Sequence, residues 1–147
     1  MQTVSMRQVK LPSFMVVGIT NDLSPLGMKG TWDQLYARMS EIPWAVNPKV
    51  GYGLLIDRRY TACIEVSSMD NIPAGMDGIT VPANDYAVFT HKGKLTFLKQ
   101  TWDAIHNQFA TGLDMTQPNF ERYDERFNPI SDDSVMEIFI PMGKGFH

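Results

Sequence analysis

The clearest hydrophobic pattern lies near the end of the chain, where alternate positions of Val135–Ile140 separate into a wholly apolar set and a set that contains a glutamate. Alternation with a period of two predicts a β-strand with distinct faces. One face carries Met136, Ile138 and Ile140. The other face carries Glu137 between Val135 and Phe139, so the carboxylate has apolar neighbours and is not expected to face open water.

The rest of the pattern predicts two successive groups of elements in the same order. The first group is a strand at Ser13–Thr20, a helix from Thr31 to about Ser40, and strands at Val50–Asp57 and Tyr60–Ser68. The second is a strand at Ile79–Thr90, a helix from Lys94 to about Ala110, and strands at Asn119–Glu125 and Val135–Ile140. Residues 1–12 are interpreted as a lead-in, and the Pro- and Gly-containing stretch after Ser68 as the seam between the groups.

This order indicates an internal duplication within a single domain, 1–147, with pseudo-repeats at about 8–69 and 76–142. Two residue pairs, Phe14 with Tyr86 and Glu65 with Glu137, are each separated by 72 positions. We therefore predict an α+β fold of two strand–helix–strand–strand modules, with antiparallel sheets, both helices on one side, and a ligand cleft between the modules.

Composition and charge narrow the class of protein. The chain has 147 residues, is 44% hydrophobic and 20% charged, and has a formal net charge of −3 with no basic run. These values favour a globular domain and give no indication of a nucleic-acid surface. The single cysteine, Cys63, excludes an internal disulfide, and no stretch is long enough to span a membrane, so we expect a cytoplasmic protein.

No catalytic, metal or cofactor motif is recognisable. The histidines, His91, His106 and His147, lack metal-ligand spacing, and no phosphate-binding or nucleophile-elbow motif occurs. We therefore predict no metal and no cofactor.

Several segments together resemble the GyrI-like small-molecule-binding family. They are LPSFMVVGIT, YAVFTHKG with the helix after it, NFERYDERF and MEIFIP. This family also supplies the effector-binding domains of AraC- and MerR-type multidrug regulators, and it has stand-alone, integron-encoded members. The resemblance implies two repeated modules with a cleft that takes hydrophobic, cationic ligands beside a glutamate on the last strand, here Glu137. No helix-turn-helix pattern occurs, so direct nucleic-acid binding is not expected.

The candidate ligand-binding residues are the carboxylate and the strand or loop aromatics around it: Glu137, Phe139, Tyr86, Trp44, Tyr52, Tyr123 and Glu65. Each has a structural alternative. Glu137 could instead pair with an arginine such as Arg122, and Tyr52 or Trp44 could belong to the core. Tyr123 shares its predicted face with Glu121 and Glu125, which suggests a wetter surface.

Three functions remain open at this point. The first is a stand-alone effector-binding protein for hydrophobic cationic or neutral molecules. The second, implied by the resemblance, is hydrolysis of strained, cyclopropane-bearing natural products, with Glu137 as general base. The third is a gyrase-inhibitor-like interaction protein, whose partner the sequence does not identify.

Overall fold

Eight strands and two helices make up the computed structural model, which describes residues 5–23, 25–109 and 112–143 and, within α1, the side chains from Met28 onward. The elements of the first half are β1 (Met6–Leu11), β2 (Phe14–Asp22), α1 (Pro25–Arg38), β3 (Gly51–Ile56) and β4 (Arg59–Val66). Those of the second half are β5 (Asp77–Val81), β6 (Asn84–Lys92), α2 (Leu98–Phe109), β7 (Asn119–Tyr123) and β8 (Val135–Pro141). Short 3-10 turns follow α1, at Met39–Glu41, and precede α2, at Leu95–Phe97.

All eight strands form one antiparallel sheet in the order β1-β6-β8-β7-β3-β4-β2-β5. The predicted α+β class and the strand–helix–strand–strand order of both modules are confirmed. Pairing of β3 with β7 joins the modules at the centre of the sheet. The two edge strands are exchanged, because β1 pairs with β6 of the second module and β5 pairs with β2 of the first.

The sheet is strongly curved. Phe14 on β2 and Phe120 on β7 lie three strands apart, yet their ring centroids are only 5.6 Å from each other. Neighbouring strands are spaced by about 4.8 Å, so the same rings on a flat sheet would be roughly 14 Å apart. The face without helices is therefore the concave, inner face.

Both helices pack on the outer face of the sheet. Leu35 and Trp32 of α1 cover β2 and β4, while Ala104 and Ile105 of α2 cover β6 and β8. Met136, Ile138 and Ile140 belong to the α2 cluster, as their alternation predicts. The inner face buries Val16, Leu54, Cys63, Val88, Phe120 and Phe139.

Several predicted boundaries are wrong. Residues taken as a lead-in form β1, and the strand predicted at Ile79–Thr90 is two strands that separate at Pro82–Ala83. Proline lacks the N–H that would continue the ladder, which explains the break. Helix α1 begins at Pro25 and not near Thr31, because proline suits a first helical turn and the glycines that suggested a loop lie within the helix.

The repeat is one of element order, not of uniform spacing. Glu65 pairs with Val16, near the start of β2, whereas Glu137 pairs with Thr90, near the end of β6. The two glutamates therefore lie at different heights in their modules and are not equivalent positions. In the described residues, neither helix is long and apolar enough to cross a membrane.

Candidate functional site

Side chains of β7 line two cavities, one on each face of the sheet, because they alternate between the two faces. Phe120 and Arg122 point to the inner face, where they line a cavity of about 380 Å³ that we call the inner cleft. Glu121 lines a second cavity, of about 370 Å³, on the outer face, together with residues of α1 and α2. We call this second cavity the helix-side groove. Both volumes are within the range of small-molecule sites.

The inner cleft brings together four of the predicted residues. Its walls are Arg7, Val9, Leu11, Pro12, Phe14, Tyr52, Glu65, Phe120, Arg122, Glu137 and Phe139. Both modules contribute to this lining. Phe120 and Phe139 are stacked with centroids 4.7 Å apart, and Tyr52 meets Phe120 edge to face at 5.7 Å.

Glu137 in this cleft is already neutralised by arginines. Its Oε2 accepts a 2.6 Å hydrogen bond from Arg7, and its Oε1 lies 3.5 Å from Arg122 and 3.4 Å from Arg126. The carboxylate is 6% exposed. The arginine-paired alternative considered for this residue therefore describes its contacts in the structure.

Three predicted residues lie outside the cleft lining. Tyr86 is fully buried behind the stacked pair, 5.3 Å from Phe120 and 6.0 Å from Phe139 between ring centroids. Trp44 is 53% exposed in the loop before β3, at a positive φ of 65°. Tyr123 lies on the outer face, where its ring contacts Trp32 and Phe127. It does not line the inner cleft, because the alternation of β7 points it toward the helices.

The helix-side groove is built around Glu121, which is only 2% exposed. Its carboxylate accepts hydrogen bonds from Tyr123 Oη at 2.7 Å, Trp102 Nε1 at 3.1 Å and Tyr60 Oη at 3.5 Å. Tyr60 in turn accepts a 2.8 Å hydrogen bond from Trp32 Nε1. Since Trp32 belongs to α1 and Trp102 to α2, one carboxylate connects both helices to the centre of the sheet.

Among the described residues, no basic side chain balances the charge of Glu121. None of the ion pairs formed by the described residues includes Glu121. Burial raises the pKa of this carboxyl above its usual value, and the hydroxyl and indole donors offset that effect only in part. Next to it in the groove, Asn119 Oδ1 is a buried acceptor without a hydrogen-bond partner.

The remaining walls of the groove are mostly apolar. They are Leu23, Met28, Leu55, Ile56, Asp57, Arg58, Arg59, Trp102 and Met115. Asp57, Arg58 and Arg59 belong to the β3–β4 hairpin and are exposed, so water screens their charges. Leu23 and Met115 are also substantially exposed, at 45% and 44%. The groove thus combines an apolar entrance with a buried carboxylate and an indole.

Sequence reasoning missed Glu121, although a signal was present. In NFERYDERF, the strand alternation places Glu121 and Tyr123 together, and this pair was interpreted as a wet surface. Three aromatic donors surround the carboxylate, and Trp32 donates to one of them, only when both helices pack over β7, which local patterns do not reveal.

A curved antiparallel sheet, two helices on one face and a small-molecule-sized cavity beneath them define an α+β ligand-binding domain. Residues 5–142 match the model of the GyrI-like small molecule binding domain, and the chain belongs to this family. The resemblance noted in the sequence is thereby confirmed.

Relatives agree with this assignment. The chain is 33% identical over 147 aligned positions to the transcriptional regulator BrlR of Pseudomonas aeruginosa, covering 92% of this chain and 54% of the regulator. It therefore spans about half the length of that relative. The solved structure of SAV2435 bound to tetraphenylphosphonium has a TM-score of 0.77 at 22% identity, with 95% and 94% of the two chains covered. An integron cassette protein of Vibrio cholerae has a TM-score of 0.66 at 17% identity, with 96% and 98% covered.

Proposed function

We propose that this domain binds hydrophobic, cationic small molecules in the helix-side groove, with Glu121 as the counter-charge. The observation that carries the proposal is a carboxylate that is 2% exposed and held by three neutral donors, with no basic partner among the described residues. Such a group is costly to ionise in the empty protein. A bound cation removes that cost, and a neutral ligand does not.

The surroundings of Glu121 suit a cation that is also aromatic or bulky. The indole of Trp102 lines the groove, and a cation over such a ring gains about 0.5–2 kcal/mol. The methionines Met28 and Met115 adapt to different ligand shapes. These features favour selection by charge and hydrophobicity over selection by a single shape.

A protein of the same fold provides a suitable test ligand for this proposal. SAV2435, which shares the fold, has been solved with tetraphenylphosphonium, a hydrophobic cation without hydrogen-bonding groups. Such a ligand can be recognised only through charge, aromatic contact and apolar burial. These are the interactions that the helix-side groove offers.

Glu137 is the competing anchor, and its contacts argue against it. A cation at Glu137 would have to approach three guanidinium groups that already surround this carboxylate. Like charges at that separation repel, so a ligand cation there would gain little. Glu121 and Glu137 thus form a matched pair of buried carboxylates with opposite surroundings.

We expect Glu121→Gln to weaken tetraphenylphosphonium by about 30-fold or more, since losing a desolvated opposite charge costs roughly 2 kcal/mol or more. Triphenylphosphine oxide, a neutral ligand of related shape, should change by less than about threefold. Both affinities can be measured by titrating the quenching of intrinsic tryptophan fluorescence, to which Trp102 in the groove contributes.

Glu137→Gln is the matched control, and it should leave both affinities within about twofold of wild type. Equal losses for the cation and the neutral ligand in Glu121→Gln would contradict the proposal. A selective loss of the cation in Glu137→Gln would move the site to the inner cleft.

A further inference from the structure

The inner cleft lies on the other face of β7, and its electrostatic character differs from that of the groove. Arg7, Arg122 and Glu137 line the cleft and belong to a network of five charged side chains that also includes Asp124 and Arg126 beside it. Three guanidinium groups meet two carboxylates, so the network carries one positive charge in excess. Arg126 beside Asp124 lowers the pKa of that carboxyl to about 2, so Asp124 is ionised throughout the neutral range.

Arg7 is the member of the network whose guanidinium has N–H donors that its ion pair with Glu137 does not use. Its side chain is 53% exposed, and its one ion pair uses Nη2 against a single oxygen of Glu137. A guanidinium carries five N–H donors in a planar fork that matches a carboxylate with two parallel hydrogen bonds. The remaining edge of Arg7 can therefore take a second carboxylate at the mouth of the cleft.

The other walls suit a flat, apolar ring. Phe14 meets Tyr52 at 5.5 Å and Phe120 at 5.6 Å between ring centroids, and all three line the cleft with the aliphatic residues Val9 and Leu11. Aromatic rings favour offset or edge-on contacts with another ring. Glu65 lies on β4 in the same lining, and its charge disfavours an anion at that end. A ligand acid is therefore directed toward Arg7.

We propose that the inner cleft is a second ligand site, which binds planar aromatic carboxylates through Arg7. The site is separate from the helix-side groove and has the opposite charge preference. Adjacent residues of β7 would then serve two ligands, because Phe120 and Arg122 face the acid while Glu121 faces the cation. The proposal stands whether or not Glu121 binds cations.

The test uses 2-naphthoate, 2-naphthalenemethanol and 2-naphthylmethylammonium, which share one ring system and differ in charge. In isothermal titration with the whole chain, naphthoate should bind most tightly to the cleft. Arg7→Gln should weaken naphthoate by about fivefold to tenfold, since charge-assisted hydrogen bonds are roughly twice as strong as neutral ones. The neutral alcohol should be unaffected.

Lys10→Gln is the matched control, because it removes the same charge from an exposed residue of the same strand, β1, outside the lining of the cleft. It should change naphthoate affinity by less than twofold, and Glu121→Gln should leave it unchanged. Arg7→Lys, which keeps the charge and loses the fork, should fall between wild type and Arg7→Gln.

Three results would overturn the proposal. Naphthoate could bind no better than the alcohol, Arg7→Gln and Lys10→Gln could weaken it equally, or Glu121→Gln could abolish its binding. The tetraphenylphosphonium titration does not use Arg7, so failure of either site is recognisable on its own. Circular dichroism of each variant confirms that the comparison is made between folded proteins.

Discussion

Tetraphenylphosphonium affinity is expected to rise with pH, by up to about tenfold per pH unit, until Glu121 is fully ionised. Burial raises the pKa of Glu121 above the usual 4.5 of a glutamic acid. A cation binds the ionised form, so at a pH below the folded pKa the protein must first release a proton. The affinity should therefore level off only above that raised pKa.

The other titratable groups around Glu121 do not produce the same profile. Burial raises the pKa of Tyr60 and of Tyr123, so both phenols stay neutral throughout the acid and neutral range. Trp102, which also lines the groove, does not titrate. Asp57, exposed on the hairpin, is the remaining acid in the lining. Asp57→Asn should keep the wild-type pH profile.

The measurement is a series of fluorescence titrations between pH 4 and pH 8 for wild type and Glu121→Gln. The variant should bind weakly, with little dependence on pH. A wild-type affinity that is constant over this range, or a variant that keeps the wild-type slope, would show that Glu121 does not titrate with binding.

The stability of the empty protein should change in the opposite direction. A carboxyl with a raised folded pKa binds more protons in the native state than in the unfolded state at any pH between the two pKa values. The free energy of unfolding that it contributes is therefore present at low pH and is lost as the pH rises through the folded pKa. Thermal unfolding of wild type relative to Glu121→Gln should show this decline, and tetraphenylphosphonium should reverse it.

The parts of the fold that were predictable from sequence are those that depend on local alternation. Met136, Ile138 and Ile140 were assigned to one face of β8 and Glu137 and Phe139 to the other, because side chains alternate between the two faces of a strand. The exchange of edge strands could not be predicted in this way. Pairing of β1 with β6 and of β5 with β2 is set by contacts between residues far apart in sequence.

The charged partners of Glu121 and Glu137 could not be predicted from the neighbouring sequence either. Glu137 has apolar neighbours along its strand, yet Arg7 reaches it from the opposite end of the chain. Glu121 has a neighbouring arginine in sequence, Arg122, yet that side chain points to the other face of the sheet. Sequence proximity alone therefore does not identify the partners of either carboxylate. A carboxylate's partner depends on which face of which strand comes near it, and this is known only once the sheet is assembled.

Gly53→Ala is expected to lower the free energy of unfolding by about 2–5 kcal/mol, because it disrupts the hydrogen bonds around Glu121. A β-carbon at position 53 would lie 2.1 Å from Tyr60 Oη and 2.7 Å from its Cζ. Tyr60 is fully buried and cannot swing into solvent. Its ring must shift, which breaks its bonds to Trp32 and Glu121 and leaves polar groups unpaired in the interior.

Gly30→Ala is the internal control, because the same methyl group added in α1 meets nothing within 4 Å. Alanine is the better helix former by about 1 kcal/mol, so this variant should be slightly more stable than wild type. Urea unfolding of both variants measures their free energies of unfolding, and titration with tetraphenylphosphonium measures their affinity for the cation. Gly53→Ala should lose both stability and cation affinity. Wild-type affinity in a destabilised Gly53→Ala protein would show that Tyr60 supports the fold without shaping the charge of the groove.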